Sequence, residues 1–178
     1  MQVVSHLDIP QPARAWLQHS GSLSQQYTRV TGLSMQISLR AEGMSLPFEQ
    51  ECAVLKVGVD EKLWVRRTHL GTNTRMFSYA RVVVSEKAFA QHERRWRELG
   101  TQLLGDAFLY TVAGLRRSPF TLYQVIPSDA LHQEAWVALS QPHEPTEPLW
   151  ARQSILYLED APVLLTEVFL PPFLDYSV

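Results

Sequence analysis

The sequence predicts an α+β fold: one domain spanning residues 1–178, with a mostly antiparallel sheet of about six strands and helices packed on it. Three observations predict it. Segments with strand character recur along the chain, some alternating apolar with polar residues and others apolar throughout. Several are joined by connections of hairpin length, which demand antiparallel neighbours because parallel ones need a crossover. Helical periodicity appears between the strands, and neither an internal repeat nor a long linker divides the chain. A chain of 178 residues buries roughly 70% of its exposable surface on folding, enough for one sizeable core.

Each element has a local reason. Residues 12–18 (PARAWLQ) read as a short helix. A second begins near 20–22, with Leu23 and Tyr27 four apart, and stops by Gly32, so the pair reads as a helical hairpin. Residues 34–40 alternate, with Met35, Ile37 and Leu39 on one side, as a half-buried strand does. Segments 49–57 and 63–69 are further strand candidates, and 75–84 (RMFSYARVVV) is the most β-prone stretch. Ser85 is a reasonable N-cap for an amphipathic helix carrying Phe89, Trp96 and Leu99 up to Gly100. A short helix over 103–108 follows. Then come a strand over 120–126, a turn at 127–129 capping a helix that ends near Leu139, and a proline-rich loop over 141–148. The chain closes on two strands, 150–158 and 163–170, joined as a hairpin through 159–162.

Composition excludes several classes of function. Lysine and arginine number 16 against 18 acids, so no global basic field draws nucleic acid or an anionic membrane. Cys52 is the only cysteine, which excludes an internal disulfide and any CxxC motif and suits a reducing compartment. The first ten residues lack a basic n-region and make a poor signal peptide. The longest apolar stretch, 161–174, is interrupted by Thr166, Glu167 and two prolines, so no membrane insertion is expected. The glycine spacing at 100–105 is Walker-like, but Asp106 and Ala107 stand where lysine and serine or threonine belong. The six histidines never fall at HxH or HxxxH spacing, and no metal site is expected. The run 94–97 (RRWR) reads as a solvated helix face with Trp96 turned inward.

The informative signals are charges inside apolar strands. Glu167 shares its face with Val163, Leu165 and Phe169, and its opposite-parity neighbours are also largely apolar. Arg66 shares a face with Trp64 and Thr68, Arg81 with Tyr79 and Val83, and Arg152 with Trp150, Ser154 and Leu156. Burying such groups is costly unless they are paired. One acid and up to three arginines on neighbouring strands allow two readings. One is a structural ion-pair network. The other is a small dry pocket for a compact di-acid, because arginine forks bind carboxylates bidentately and a desolvated glutamate can move a proton.

A resemblance separates them. Residues 149–158 (LWARQSILYL) and 162–171 (PVLLTEVFLP) closely resemble the C-terminal signature of bacterial chorismate lyases. The same order of landmarks appears earlier in LWVR at 63–66, YARVVV at 79–84, Leu99-Gly100 and Leu104-Gly105. The resemblance runs from about Leu17 to Tyr176; the N-terminal third matches mainly by pattern, and 40–50 and 175–178 match poorly. It implies a six-stranded antiparallel sheet with helical flaps over a buried site. It also implies conversion of chorismate into 4-hydroxybenzoate and pyruvate for ubiquinone biosynthesis, with no cofactor. It assigns Arg66 to the ring carboxylate, Glu167 to the ring hydroxyl and Arg81 to the enolpyruvyl carboxylate. Leu104 supplies a main-chain contact from a flap, as does Leu23, which stands where the family commonly has methionine.

The expectation is therefore a cytoplasmic, monomeric carbon–oxygen lyase with Arg66 and Glu167 as catalytic residues on adjacent strands, subject to product inhibition. The rival is a non-catalytic small-carboxylate sensor of the same fold, since effector domains of some transcription regulators resemble it. Such regulators usually carry a DNA-binding helix-turn-helix, for which the two short helices ahead of residue 34 leave no room.

Overall fold

A computed structural model describes residues 1–5, 8–107, 111–137 and 146–176. Eight strands form one antiparallel sheet: β1 (Gln2–Val3), β2 (Gln36–Ser45), β3 (Leu63–Gly71), β4 (Met76–Val84), β5 (Arg116–Arg117), β6 (Thr121–Val125), β7 (Leu149–Leu158) and β8 (Ala161–Phe169). Their order is β1-β6-β7-β8-β4-β3-β2, with β5 paired to β7. The two strands that no expected segment covers are β1 and β5. Each has two residues and is defined by its pairing rather than by any pattern of its own.

Helices cover both faces. On one face, α1 (Ala13–Gln18) and α2 (Leu23–Thr31) pack at one end, where Trp16, Leu17 and Tyr27 meet Leu70, Leu122 and Phe169. At the other end of that face lies α4 (Glu86–Glu98), whose Ala88 and Trp96 meet Trp64, Val82 and Leu165. Each large apolar side chain buried this way contributes roughly 1.5–3 kcal/mol. The opposite face carries α3 (Glu49–Leu55), against Val65, Val83 and Leu164, and α6 (Ala130–Trp136), against Tyr79, Ala151 and Val168.

The local signals hold in most elements. Ser22 Oγ accepts from Gln25 N–H at the start of α2, and Gly32 ends it at φ 68°. Ser85 Oγ accepts from Ala88 N–H to open α4, which kinks at His92. The β7–β8 turn is tighter than the expected 159–162. Leu158 already pairs with Ala161, and Glu159 takes φ 56° between them.

One expectation is overturned: 49–57 is helix α3, not a strand. Glu51 reaches back to accept from the Phe48 N–H at 2.8 Å, a carboxylate N-terminal cap. Cys52 and Leu55, three apart, bury one side, and Lys56 ends the helix in the left-handed region at φ 58°. The short helix expected over 103–108 is α5 (Leu104–Ala107), and Phe108 lies outside the described residues. So do the expected end of α6 near Leu139 and most of the proline-rich loop. Among the described residues, no helix is long and apolar enough to cross a membrane.

Candidate active site

Between the α1–α2 end and the α4 end, one sheet face is left bare of helix. The pairing fixes which side chains stand there. Arg66 on β3 is opposite Val82 on β4, which is opposite Leu165 on β8. Two residues along, Thr68, Ala80, Glu167 and Arg152 line up across β3, β4, β8 and β7. Alternation puts both rows on the same face. Two segments close over them, the α1–α2 connection with Leu23 at the start of α2, and residues 102–105 with Leu104 at the start of α5. The partly open cavity measures about 110 Å³, far more than the roughly 10–15 Å³ that one water needs. A larger groove of about 550 Å³ beside β1 and β6 is open and carries no charged side chain among its lining residues.

Arg66 and Glu167 therefore face one cavity, although β4 lies between their strands and they are not on adjacent ones. Two strand spacings and a two-residue offset separate their backbones by roughly 12 Å, which the two side chains narrow from opposite sides. Arg66 is buried. Its Nη1 donates to Glu42 Oε2 at 2.6 Å, and its Nη2 to the carbonyls of Gly100 at 2.6 Å and Gln102 at 3.4 Å. Burial lowers its pKa against the opposing effect of Glu42.

Glu167 accepts from Arg152 Nε at 2.6 Å, and Arg117 Nη2 stands 4.0 Å from the same oxygen. Arg152, only 1% exposed, also donates through Nη1 to the carbonyls of Leu17 and His19 in the first lid, and its guanidinium lies 4.3 Å from the Phe120 ring. Burial, then the charge of Arg152, lowers the pKa of His19. Leu23 and Leu104 are the first residues of α2 and α5. N–H groups in a first helical turn lack intrahelical acceptors and suit a polar ligand atom.

Arg81 is not part of this site. It pairs with Arg67 and Thr166, so it projects from the opposite face. There its Nε and Nη2 grip Glu51 at 2.8 and 3.1 Å, and its Nη1 reaches Glu134 at 3.2 Å. Glu134 in turn accepts from Arg67 and from the Tyr79 hydroxyl. Burial opposes the Arg81 charge, yet the hydrogen bond and charge of Glu51, with Glu134, leave its pKa raised. The structural-network reading thus describes Arg81, and the pocket reading describes Arg66 and Glu167.

Arg152, which the sequence offers among the pocket arginines but the resemblance assigns no role, lies beside Glu167 at the cavity. Two further residues, Glu42 behind Arg66 and Arg117 at the cavity, were not singled out by sequence. Glu42 enters because β2 continues past residue 40 through a bulge between Leu39 and Ala41. Arg117 sits in a two-residue strand that gives no pattern to read. Among the described residues no three histidine, cysteine or acidic side chains gather as a metal cluster.

Residues 2–177 match the family model of chorismate lyase. The chain belongs to the chorismate lyase family. A probable chorismate pyruvate-lyase from Nitrosospira multiformis is 30% identical over 166 residues, covering 93% of this chain and 89% of that protein. One from Thiobacillus denitrificans is 31% identical over 166 residues, covering 93% and 86%. Among solved structures, PhnF from Mycobacterium smegmatis superposes with a TM-score of 0.62 at 16% identity, over 86% of this chain and 65% of that one. The C-terminal domain of the histidine utilization repressor from Pseudomonas syringae gives 0.58 at 9% identity, over 78% and 92%. At such identities these likenesses show the fold alone. Family membership makes the protein a lyase.

Proposed function

We propose that this protein eliminates pyruvate from chorismate to form 4-hydroxybenzoate, in the cytoplasm and as a single chain, at the head of ubiquinone biosynthesis. The observation that carries the reading is a buried cation, Arg66, and a carboxylate, Glu167, lining one partly enclosed cavity. Chorismate is a ring di-acid with a 4-hydroxyl beside the 3-enolpyruvyl ether. The C4–H bond breaks and its electron pair completes the ring π-system as the C3–O bond breaks. The departing enolpyruvate takes up a proton and becomes pyruvate. Aromatisation drives the reaction, so the chain needs only to orient the substrate, exclude water and balance charge.

Arg66 holds the ring carboxylate, and Glu167, which also accepts from Arg152 Nε, accepts the hydrogen bond of the 4-hydroxyl. The main-chain N–H groups of Leu23 and Leu104 supply further polar contacts as the lids close. An enclosed product leaves slowly, so lid opening limits turnover.

The test is to mix purified protein with chorismate, follow pyruvate by a coupled assay and identify the aromatic product by chromatography. Many equivalents of pyruvate with matching 4-hydroxybenzoate are expected. Stoichiometric binding without turnover would support a sensor, and 3-hydroxybenzoate would overturn the product assignment. Arg66→Ala removes a buried, hydrogen-bonded charge partner, a loss of about 2–5 kcal/mol that lowers kcat/KM roughly 30- to 4,000-fold. Wild-type kcat/KM in that variant would remove the arginine clamp.

A further inference from the structure

The cavity is lined by hydroxyl groups as well as charges: Ser22, Ser24, Thr68 and Ser78 all border it. Ser22 and Ser24 bond to each other at 2.9 Å, and Ser78 shares a side-chain hydrogen bond with Tyr27. The Thr68 hydroxyl has no hydrogen-bond partner among the described residues. We propose that it donates to the ring carboxylate beside Arg66, and so sets how tightly both chorismate and its aromatic product are held. This inference rests on the function proposed above.

Three observations support it. First, Thr68 is only 6% exposed and lines the cavity. A buried hydroxyl without a partner is costly, and native ones are matched by protein, water or ligand. Valine has the same shape and suits a strand equally well, so packing gives no reason for the hydroxyl.

Second, its place in the sheet selects the ligand atom. Thr68 stands two residues beyond Arg66 on the same face of β3, roughly 7 Å along the strand. Across the sheet it is opposite Ala80, which is opposite Glu167. Thr68 thus neighbours Arg66, whereas Glu167 lies two strands away, and Ala80 leaves room for a ring between them. The ring carboxylate and the 4-hydroxyl of chorismate are on opposite carbons. With the hydroxyl at Glu167, the carboxylate points toward β3, where Arg66 and Thr68 both are.

Third, Arg66 is already in use. It donates to Glu42 and to the carbonyls of Gly100 and Gln102, three acceptors against five N–H donors. A carboxylate has two oxygens to satisfy, and a hydroxyl donor at the side of the guanidinium completes the set. Threonine is stiff at χ1, so holding its hydroxyl in place costs little entropy.

The experiment titrates 4-hydroxybenzoate calorimetrically into wild type, Thr68→Val and Thr68→Ser, with thermal unfolding of each alongside. Valine keeps the shape and removes the donor. Its affinity is expected to fall roughly 10- to 100-fold, the loss of one hydrogen bond to a charged group, with Tm within about 3 °C of wild type. The kcat/KM for chorismate should fall by a similar factor, because substrate and product share this carboxylate. Serine keeps the donor, and its affinity should stay within about fivefold of wild type. Should the valine variant not fold, Thr68→Ala carries the same test. Unchanged affinity without the hydroxyl would overturn the inference. So would an equal loss in the serine variant, which would mean that the fit of the side chain matters and its hydroxyl does not. A wild-type protein that neither binds 4-hydroxybenzoate nor turns over chorismate refutes the proposed function, and this inference with it, so the two failures are distinct.

Discussion

Replacing Arg81 by methionine separates stability from binding. Arg81 and Glu51 are each 2% exposed, and their two hydrogen bonds form a side-on fork at 2.8 and 3.1 Å. Removing the cation strands a buried carboxylate whose other contact is the Phe48 N–H. It also removes the guanidinium stacked 3.9 Å from the Phe48 ring and the link to Glu134. Breaking a buried pair from one side costs about 3–5 kcal/mol. For a domain of this size each kcal/mol moves Tm by about 2–4 °C, so a fall of roughly 6–20 °C is expected. Urea unfolding measures the free energy, and calorimetric titration with 4-hydroxybenzoate, well below the lowered Tm, measures the site. The affinity should stay within about threefold of wild type, because the sheet itself lies between Arg81 and the cavity. Adding Glu51→Gln, which removes the charge but keeps an acceptor for the Phe48 N–H, should restore part of the stability. Wild-type stability with product affinity weakened more than tenfold would refute the assignment of Arg81 to the far face.

Two further outcomes follow from the same geometry. His69 is buried, Nε2 donates to the Ala135 carbonyl, and Nδ1 finds no partner. Burial first, and then Arg40, lower its pKa to about 4 from 6.5. The unfolded chain therefore takes up the proton that the native one refuses. Stability is full above pH 6.5 and falls as pH drops toward 4, by roughly 3 kcal/mol in all. Urea midpoints at pH 7.5 and 4.5 should show this slope, and His69→Gln should flatten it; an unaltered slope in that variant assigns the effect elsewhere. Arg152→Met removes the donor that ties the first lid to Glu167, so stopped-flow release of 4-hydroxybenzoate should speed up at least tenfold. Unchanged release would detach Arg152 from lid control.

How far the sequence carries the site depends on what alternation can settle. Within a strand it settles much: Arg66 with Thr68, and Glu167 with Leu165, are faces visible in the residue order. Between strands it settles nothing, because the phase of β4 relative to β8 is a matter of register. The pairing of Ala80 with Glu167 sends Arg81 to the other side, and a one-residue slip would have sent it into the cavity. The resemblance supplied the residue but not its direction. The misread segment 49–57 fails for a different reason. A seven-residue helix makes barely two turns, too few for its period to stand out against a short apolar run. What defines it is the Glu51 cap and the left-handed Lys56, both visible only in three dimensions.

The same fold is found in transcription regulators, so function is read from the site rather than from the fold. Here each lid is tied to a different arginine of the site. Arg66 holds the 102–105 side through the carbonyls of Gly100 and Gln102, and Arg152 holds the α1–α2 side through Leu17 and His19. A guanidinium has five N–H donors, so a ligand carboxylate can join these carbonyls without displacing them. The cations proposed to hold the ligand or its glutamate are thus the ones bonded to the lids. Hydrogen bonds to charged groups contribute about 1.5–3 kcal/mol each, and opening a lid gives up at least one. On the proposed function, these bonds would favour closure and keep water from the elimination. On that function, slow release is the expected consequence of the same bonds: what would shield the reaction would also retard the exit of its product.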